Sequence, residues 1–158
     1  MPKTQRRRRR EAKTDYKARL ALLKSEKPRL VVRKTNRFII AQIVDSELAQ
    51  DKTLVRMTTK DLLDNGWPKE KSGSLKSLPA AYLLGFMIGK AMKNKIKEVV
   101  LDIGLQRNIK GSRIFAVLKG ALDAGLNIPH NKEALPSEER INSGKDLSGL
   151  IDKIRNKL

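Results

Sequence analysis

Two kinds of apolar pattern alternate along the chain, and they predict different elements. Arg29 to Lys34 and Phe38 to Val44 hold Val31, Val32, Ile39, Ile40, Ile43 and Val44, β-branched residues that favour extended backbone. The polar stretch Thr35 to Arg37 between them is short enough to be a hairpin turn. A third strand, Thr53 to Thr59, follows an acidic loop around Asp45 to Asp51, which makes an antiparallel meander. Further on, Glu98 to Ile103 is a nearly continuous apolar run and predicts a core strand.

Helical spacing occupies the rest. Glu11 to Leu23 sets Tyr16, Leu20 and Leu23 against Lys13, Lys17 and Lys24, and Pro28 stops it, because proline cannot continue a helix. From Leu78 or Pro79 to Lys93, residues Ala80, Leu84, Met87, Ile88 and Ala91 face a core. In the same helix Ala81, Gly85 and Gly89 recur every fourth residue, a smooth ridge expected to let the helix lie close on a sheet. A last core helix starts at Ser112 as N-cap, carries Ile114, Phe115, Leu118, Ala121 and Leu122 inward, and stops at Gly125. Lys60 to Ser77 reads as a loop or short helix followed by a surface excursion, with Trp67 pinning it to the body. Past Leu126 an arm with Pro129 and Pro136 leads to a terminal amphipathic helix, with Leu147, Leu150, Ile151, Ile154 and Leu158 on one face and Asp146 as N-cap.

The order of three strands, helix, strand and helix predicts an α/β sandwich with a mixed sheet, and the helix between the third and fourth strands permits a parallel crossover. Residues 1–27 read as a basic extension with a helix, 28–126 as the α/β core, and 127–158 as a C-terminal arm ending in a short helix.

Charge adds direction to this scaffold. Fifteen of the 35 Lys and Arg fall between Lys3 and Arg37 against three acids, so the positive charge is concentrated at one end. Such a distribution attracts phosphodiesters by steering and counterion release. Arg6, Arg7, Arg8, Arg9 and Arg10 form an unbroken run with Lys13 close behind; like charges so close are expected to stay disordered until an anion arrives. Arg29, Arg33, Lys34, Asn36 and Arg37 cluster at the hairpin. Gln106, Arg107, Asn108, Lys110 and Arg113 surround Gly111 between a strand and a helix N-terminus, where exposed backbone N–H groups favour phosphate. Few aromatics accompany these clusters, which favours reading of folded RNA by shape and phosphate over base stacking on a platform.

Other functions fare poorly. The absence of Cys removes disulfides, thiolate metal sites and a cysteine nucleophile; with no secretory signal expected, it points to the cytoplasm. The most apolar window, Leu78 to Met92, is broken by Pro79, two glycines and Lys90, so no membrane span is expected. Gly85 to Lys90 fails as a phosphate-binding loop: it is one residue short and lacks Ser or Thr after the lysine. His130 is a lone histidine in a polar arm. Asp45 and Asp102 are a thin pair for a metal-dependent nuclease, and Asp102 has the competing task of bracing the loop after it. No catalytic residue, metal, cofactor or small-molecule substrate is expected; a DNA or chromatin protein stays open as the alternative, and a nuclease less so.

The run Arg29-Leu-Val-Val-Arg33-Lys-Thr-Asn-Arg37-Phe-Ile-Ile-Ala-Gln-Ile-Val44 resembles the hairpin of the universal large-subunit ribosomal protein number eighteen family. So do Leu101-Asp-Ile-Gly104, Gly111-Ser-Arg113 and Asp123-Ala-Gly-Leu126. The arm, with Ile128-Pro-His-Asn and Leu135-Pro-Ser-Glu-Glu-Arg-Ile141, is similar to the archaeal and eukaryotic branch, and to archaeal members most, since the longer C-terminal region of eukaryotic members has no counterpart. The resemblance covers nearly the whole chain. It implies a non-enzymatic protein of the large ribosomal subunit that binds 5S rRNA, docks it onto large-subunit rRNA in the central protuberance and abuts neighbouring ribosomal proteins. It also implies RNA contacts from the basic N-terminus, the hairpin and the loop before the second core helix, the three clusters named above.

Overall fold

A computed structural model describes residues 4, 7–47, 50–142 and 148–157. Its framework is one four-stranded sheet of β1 (Arg29–Lys34), β2 (Ile39–Glu47), β3 (Gln50–Thr58) and β4 (Val100–Asp102), in the order β3-β2-β1-β4. β1 and β2 pair antiparallel from Arg29 opposite Val44 to Lys34 opposite Ile39, and β4 lies parallel to β1. The hairpin turn is closed by the Thr35 hydroxyl, which donates to the Phe38 carbonyl at 2.6 Å and accepts the Phe38 N–H at 3.1 Å.

Strand periodicity decides which face is covered. Leu30, Val32, Ile39, Ala41 and Ile43 are buried on one face, beneath α3 (Leu78–Met92) and α4 (Arg113–Asp123). Trp67 is 2% exposed, and its indole N–H donates to the Lys71 carbonyl at 3.1 Å; it pins the 60–77 segment as expected. Gly125, with φ of +101°, ends the run after α4, where Leu126 N–H reaches back to the Ala121 carbonyl at 3.1 Å. The arm carries α5 (Glu138–Asn142) and then α6 (Ser148–Lys157), which buries Ile151 and Ile154 in the same core as Ile128 and Ile141. Asp146, Leu147 and Leu158 lie outside the described residues.

Several expectations are corrected. The ridge of Gly85 and Gly89 faces α4, not the sheet. A Cβ at Gly85 would fall on the Val117 carbonyl, one at Gly120 on the Tyr82 carbonyl, and one at Gly89 within 2.6 Å of Ala124 Cβ. Each helix thus brings glycine against the other's backbone, so α3 is buried nearly all round, while Ala91, expected inside, is exposed. The run Glu98 to Ile103 yields only the three residues of β4, at the sheet edge, and Val100, Leu101 and Ile103 are half-buried there; an apolar run does not say how many neighbours its strand will have. The acidic stretch Asp45 to Asp51 is strand on both sides, because Asp45 pairs with Lys52, and Ser46 with Asp51, across the ladder.

At the N-terminus the helix expected from Glu11 to Leu23 begins only at Tyr16, and a separate helical turn precedes its expected start. Arg7–Arg10 form one turn (α1), Ala12 takes φ of +49°, and α2 (Tyr16–Lys24) starts afresh where the Asp15 carboxylate accepts the N–H groups of Lys17 and Ala18 at 3.0 and 3.1 Å. None of α2's residues is buried, and Leu20, expected on its inner face, is exposed.

Candidate nucleic-acid interface

The odd-numbered residues of β1 point to the face opposite α3 and α4, and there the sequence sets Arg29 and Arg33. The parallel pairing of β1 with β4 puts Asp102 beside Val31, within reach of both guanidiniums. Asp102, 8% exposed, accepts from Arg29 Nη1 at 3.2 Å, from Arg33 Nη2 at 3.0 Å and from the Gly104 N–H at 2.8 Å. Arg33 Nη1 also donates to the Asp102 and Val32 carbonyls, both at 2.9 Å. Arg29 continues through Nη2 to Asp51 at 2.8 Å and Ser46 at 3.1 Å, and Asp51 binds Arg19 of α2 at 2.8 Å. Burial pushes the Asp51 carboxyl up, but the Ser46 hydroxyl and the Arg29 and Arg19 guanidiniums outweigh it and hold the group below its ordinary value.

This network reassigns two residues. Arg29, expected among the surface cations, is 3% exposed and engaged with carboxylates, so the structure makes it a brace between strands. Asp102, half of the thin nuclease pair, has its carboxylate occupied by two arginines and the backbone of the following loop, the bracing task weighed against the metal reading. Among the described residues no group of three or more His, Cys, Asp and Glu side chains is placed to hold a metal ion. His130 Nδ1 lies 2.7 Å from the Ile128 carbonyl oxygen.

Most of the remaining expected cations border two clefts, both of which include Gln106 of the loop that Asp102 braces. The first, about 590 Å³, lies between α2 and residues 101–106 and is bordered by Arg8, Lys13, Arg19, Arg33 and Gln106. Lys13 is paired there with Glu11 at 2.8 Å. Arg7, Arg8, Arg9 and Arg10 are exposed in α1, where disorder was expected; Arg7 reaches Glu11 at 3.8 Å, and Arg6 lies outside the described residues. The second cleft, about 670 Å³, joins Lys34 of the hairpin to Gln106, Arg107, Lys110 and Arg113 of the loop at the N-termini of α3 and α4. Asn36, Arg37 and Asn108 are exposed but border neither cleft. Lys110 is paired with Glu133 at 2.8 Å, both well exposed.

Sequence reasoning missed one cation of the second cleft. Arg140, from the arm, borders it, and its Nη1 would lie 2.8 Å from a Cβ at Gly111, whose N–H donates to the Ala134 carbonyl at 2.8 Å. Nothing in the local pattern around Arg140 signals this, because the approach depends on how the arm folds back. The loop also exposes two large apolar residues, Leu105 at 58% and Ile109 at 57%.

An α/β scaffold with cations gathered around two clefts makes this a basic α/β protein with a surface suited to a polyanion. Comparison with known proteins makes it particular. The family model described as ribosomal large subunit proteins 60S L5 and 50S L18 matches residues 2–98 and 93–131. The large ribosomal subunit protein uL18 of Korarchaeum cryptofilum (strain OPF8) is 48% identical over 149 residues, which cover 94% of this chain and 74% of the relative. The chain belongs to this family of large-subunit ribosomal proteins, which are structural and not enzymes. No helix among the described residues is long and apolar enough to cross a membrane.

Proposed function

We propose that the protein binds 5S rRNA and helps attach it to the large-subunit rRNA in the central protuberance, beside neighbouring ribosomal proteins. The observation that carries this reading is the second cleft, where Lys34, Arg107, Lys110 and Arg113 come together from segments more than seventy residues apart in the chain. Convergent cations on a rigid α/β body favour a folded polyanion of defined shape over any chain of phosphates. The core 28–126 selects the RNA. The extension 1–27, carrying Arg6 to Arg10 and Lys13, acts as a tether that neutralises phosphates between RNA segments, and the arm 127–158 supports the loop through its contact with Gly111. Within the hairpin, Arg33, Lys34, Asn36 and Arg37 are assigned to contact and Arg29 to bracing.

The test is filter binding of the full chain to 5S-type RNA, an unrelated structured RNA and duplex DNA across a salt series. Marked preference for 5S-type RNA is the expected result. Equal affinity for all three at matched salt sinks the reading and leaves a general basic protein. Removal of residues 1–10 should flatten the slope of log affinity against log salt by roughly 0.7–0.9 for each phosphate that the shortened chain leaves un-neutralised, while the melting of the domain stays unchanged.

A further inference from the structure

Resting on the reading of these clefts as the RNA-binding surface, we propose that the second cleft receives a single unstacked nucleotide of the bound RNA. Its phosphate lies against the cations and its base or ribose against Ile109 and Leu78. Two observations converge on this. The volume, about 670 Å³, lies within the range of sites that enclose a small organic ligand, larger than a phosphate needs. The second is the lining, which combines the cations Arg107, Lys110, Arg113 and Arg140 with Leu78 and with Ile109, 57% exposed.

The nucleotide must be unstacked, because a paired base is hidden within its helix and the deep groove of duplex RNA keeps side chains away from base edges. A duplex could touch the cationic rim but could not place a base against Ile109. Nor does the Lys110–Glu133 pair bar entry: with both side chains 71% exposed it is weak, and a phosphate can take Glu133's place.

The experiment uses the full chain and two RNA hairpins identical except for one unpaired adenosine or uridine. The bulged hairpin should bind at least about threefold tighter, somewhat below the value of stacking a base on an aromatic ring. Ile109→Ala should erase that advantage while leaving affinity for the paired hairpin within about twofold, since an exposed side chain contributes little to folding. In methyl and amide NMR spectra, AMP and UMP should shift Ile109 and Ser112 together, whereas inorganic phosphate should shift the backbone near Ser112 alone. Equal affinity for the two hairpins, an advantage that survives Ile109→Ala, or identical shifts from phosphate and nucleotides would overturn the proposal. If the hairpins bind equally while 5S-type RNA is still preferred in the filter assay, the nucleotide cleft fails alone. Loss of that preference is a failure of the functional reading itself.

Discussion

Asp102→Ala removes the carboxylate that Arg29, Arg33 and the Gly104 N–H share, and its cost can be worked from the contacts. Breaking a buried ion pair by deleting one partner costs about 3–5 kcal/mol, because the other charge stays buried. Two features lower this. Arg29 keeps Asp51 at 2.8 Å and Ser46 at 3.1 Å, and the Arg33 side chain, 40% exposed, regains water. The expected loss is therefore about 2–3 kcal/mol. For a chain of this length that corresponds to a fall in Tm of about 4–12 °C. The assay is thermal melting of RNA-free protein at pH 7 in physiological salt. Asp45→Asn is the control, since the Asp45 carboxylate accepts the N–H of its own neighbour Ser46, and should stay within about 0.5 kcal/mol of wild type. If the loss comes from an uncompensated guanidinium, adding Arg29→Met to Asp102→Ala should recover part of it. A single Asp102→Ala variant that melts within about 2 °C of wild type would refute the claim that this network braces the sheet.

Replacement of Arg107 or Arg113 by Ala should weaken 5S-type RNA binding more than replacement of Lys93 or Lys95, which border neither cleft; equal or reversed effects in filter binding would count against the loop as the contact site. The depressed Asp51 carboxyl contributes stability that is complete above the unfolded value of about 4 and drains away as pH falls through the lower folded value. Melting curves from pH 6 down to pH 3 should thus be less acid-sensitive for Asp51→Asn than for wild type; parallel curves would show that the carboxylate contributes nothing specific. Gly85→Ala should cost about 1–3 kcal/mol in urea titration, because its Cβ would collide with the Val117 carbonyl, although alanine is the better helix former. Gly149→Ala, in α6 with nothing nearby, should be neutral or slightly stabilising, and a similar penalty at both sites would contradict the close packing of α3 on α4.

Elements whose signal is local were readable from the chain. β1 has the predicted bounds, α3 and α4 lie within a residue or two of theirs, and Gly125 ends the second core helix through a left-handed residue that only glycine adopts at little cost. Local readings failed where a neighbour decided the outcome. Asp15 captured two backbone N–H groups and set the N-terminal helix to begin at Tyr16, and cross-strand partners drew the acidic residues 45–51 into a ladder. The basic clusters were legible as charge, yet a positive residue looks the same in sequence whether it meets solvent or a carboxylate.

The sequence by itself determined the alternation of strands and helices, the polarised positive charge and the membership of a ribosomal family, because propensity, composition and motif are properties of neighbouring residues. The tertiary structure decided what each charge does. Arg29 and Lys34 share one strand, but the pairing of β1 with β4 sets Asp102 against Arg29 and leaves Lys34 at the second cleft. Arg140 joins that cleft from the arm because contacts between distant segments are fixed only when the core closes and the chain must fold back over it.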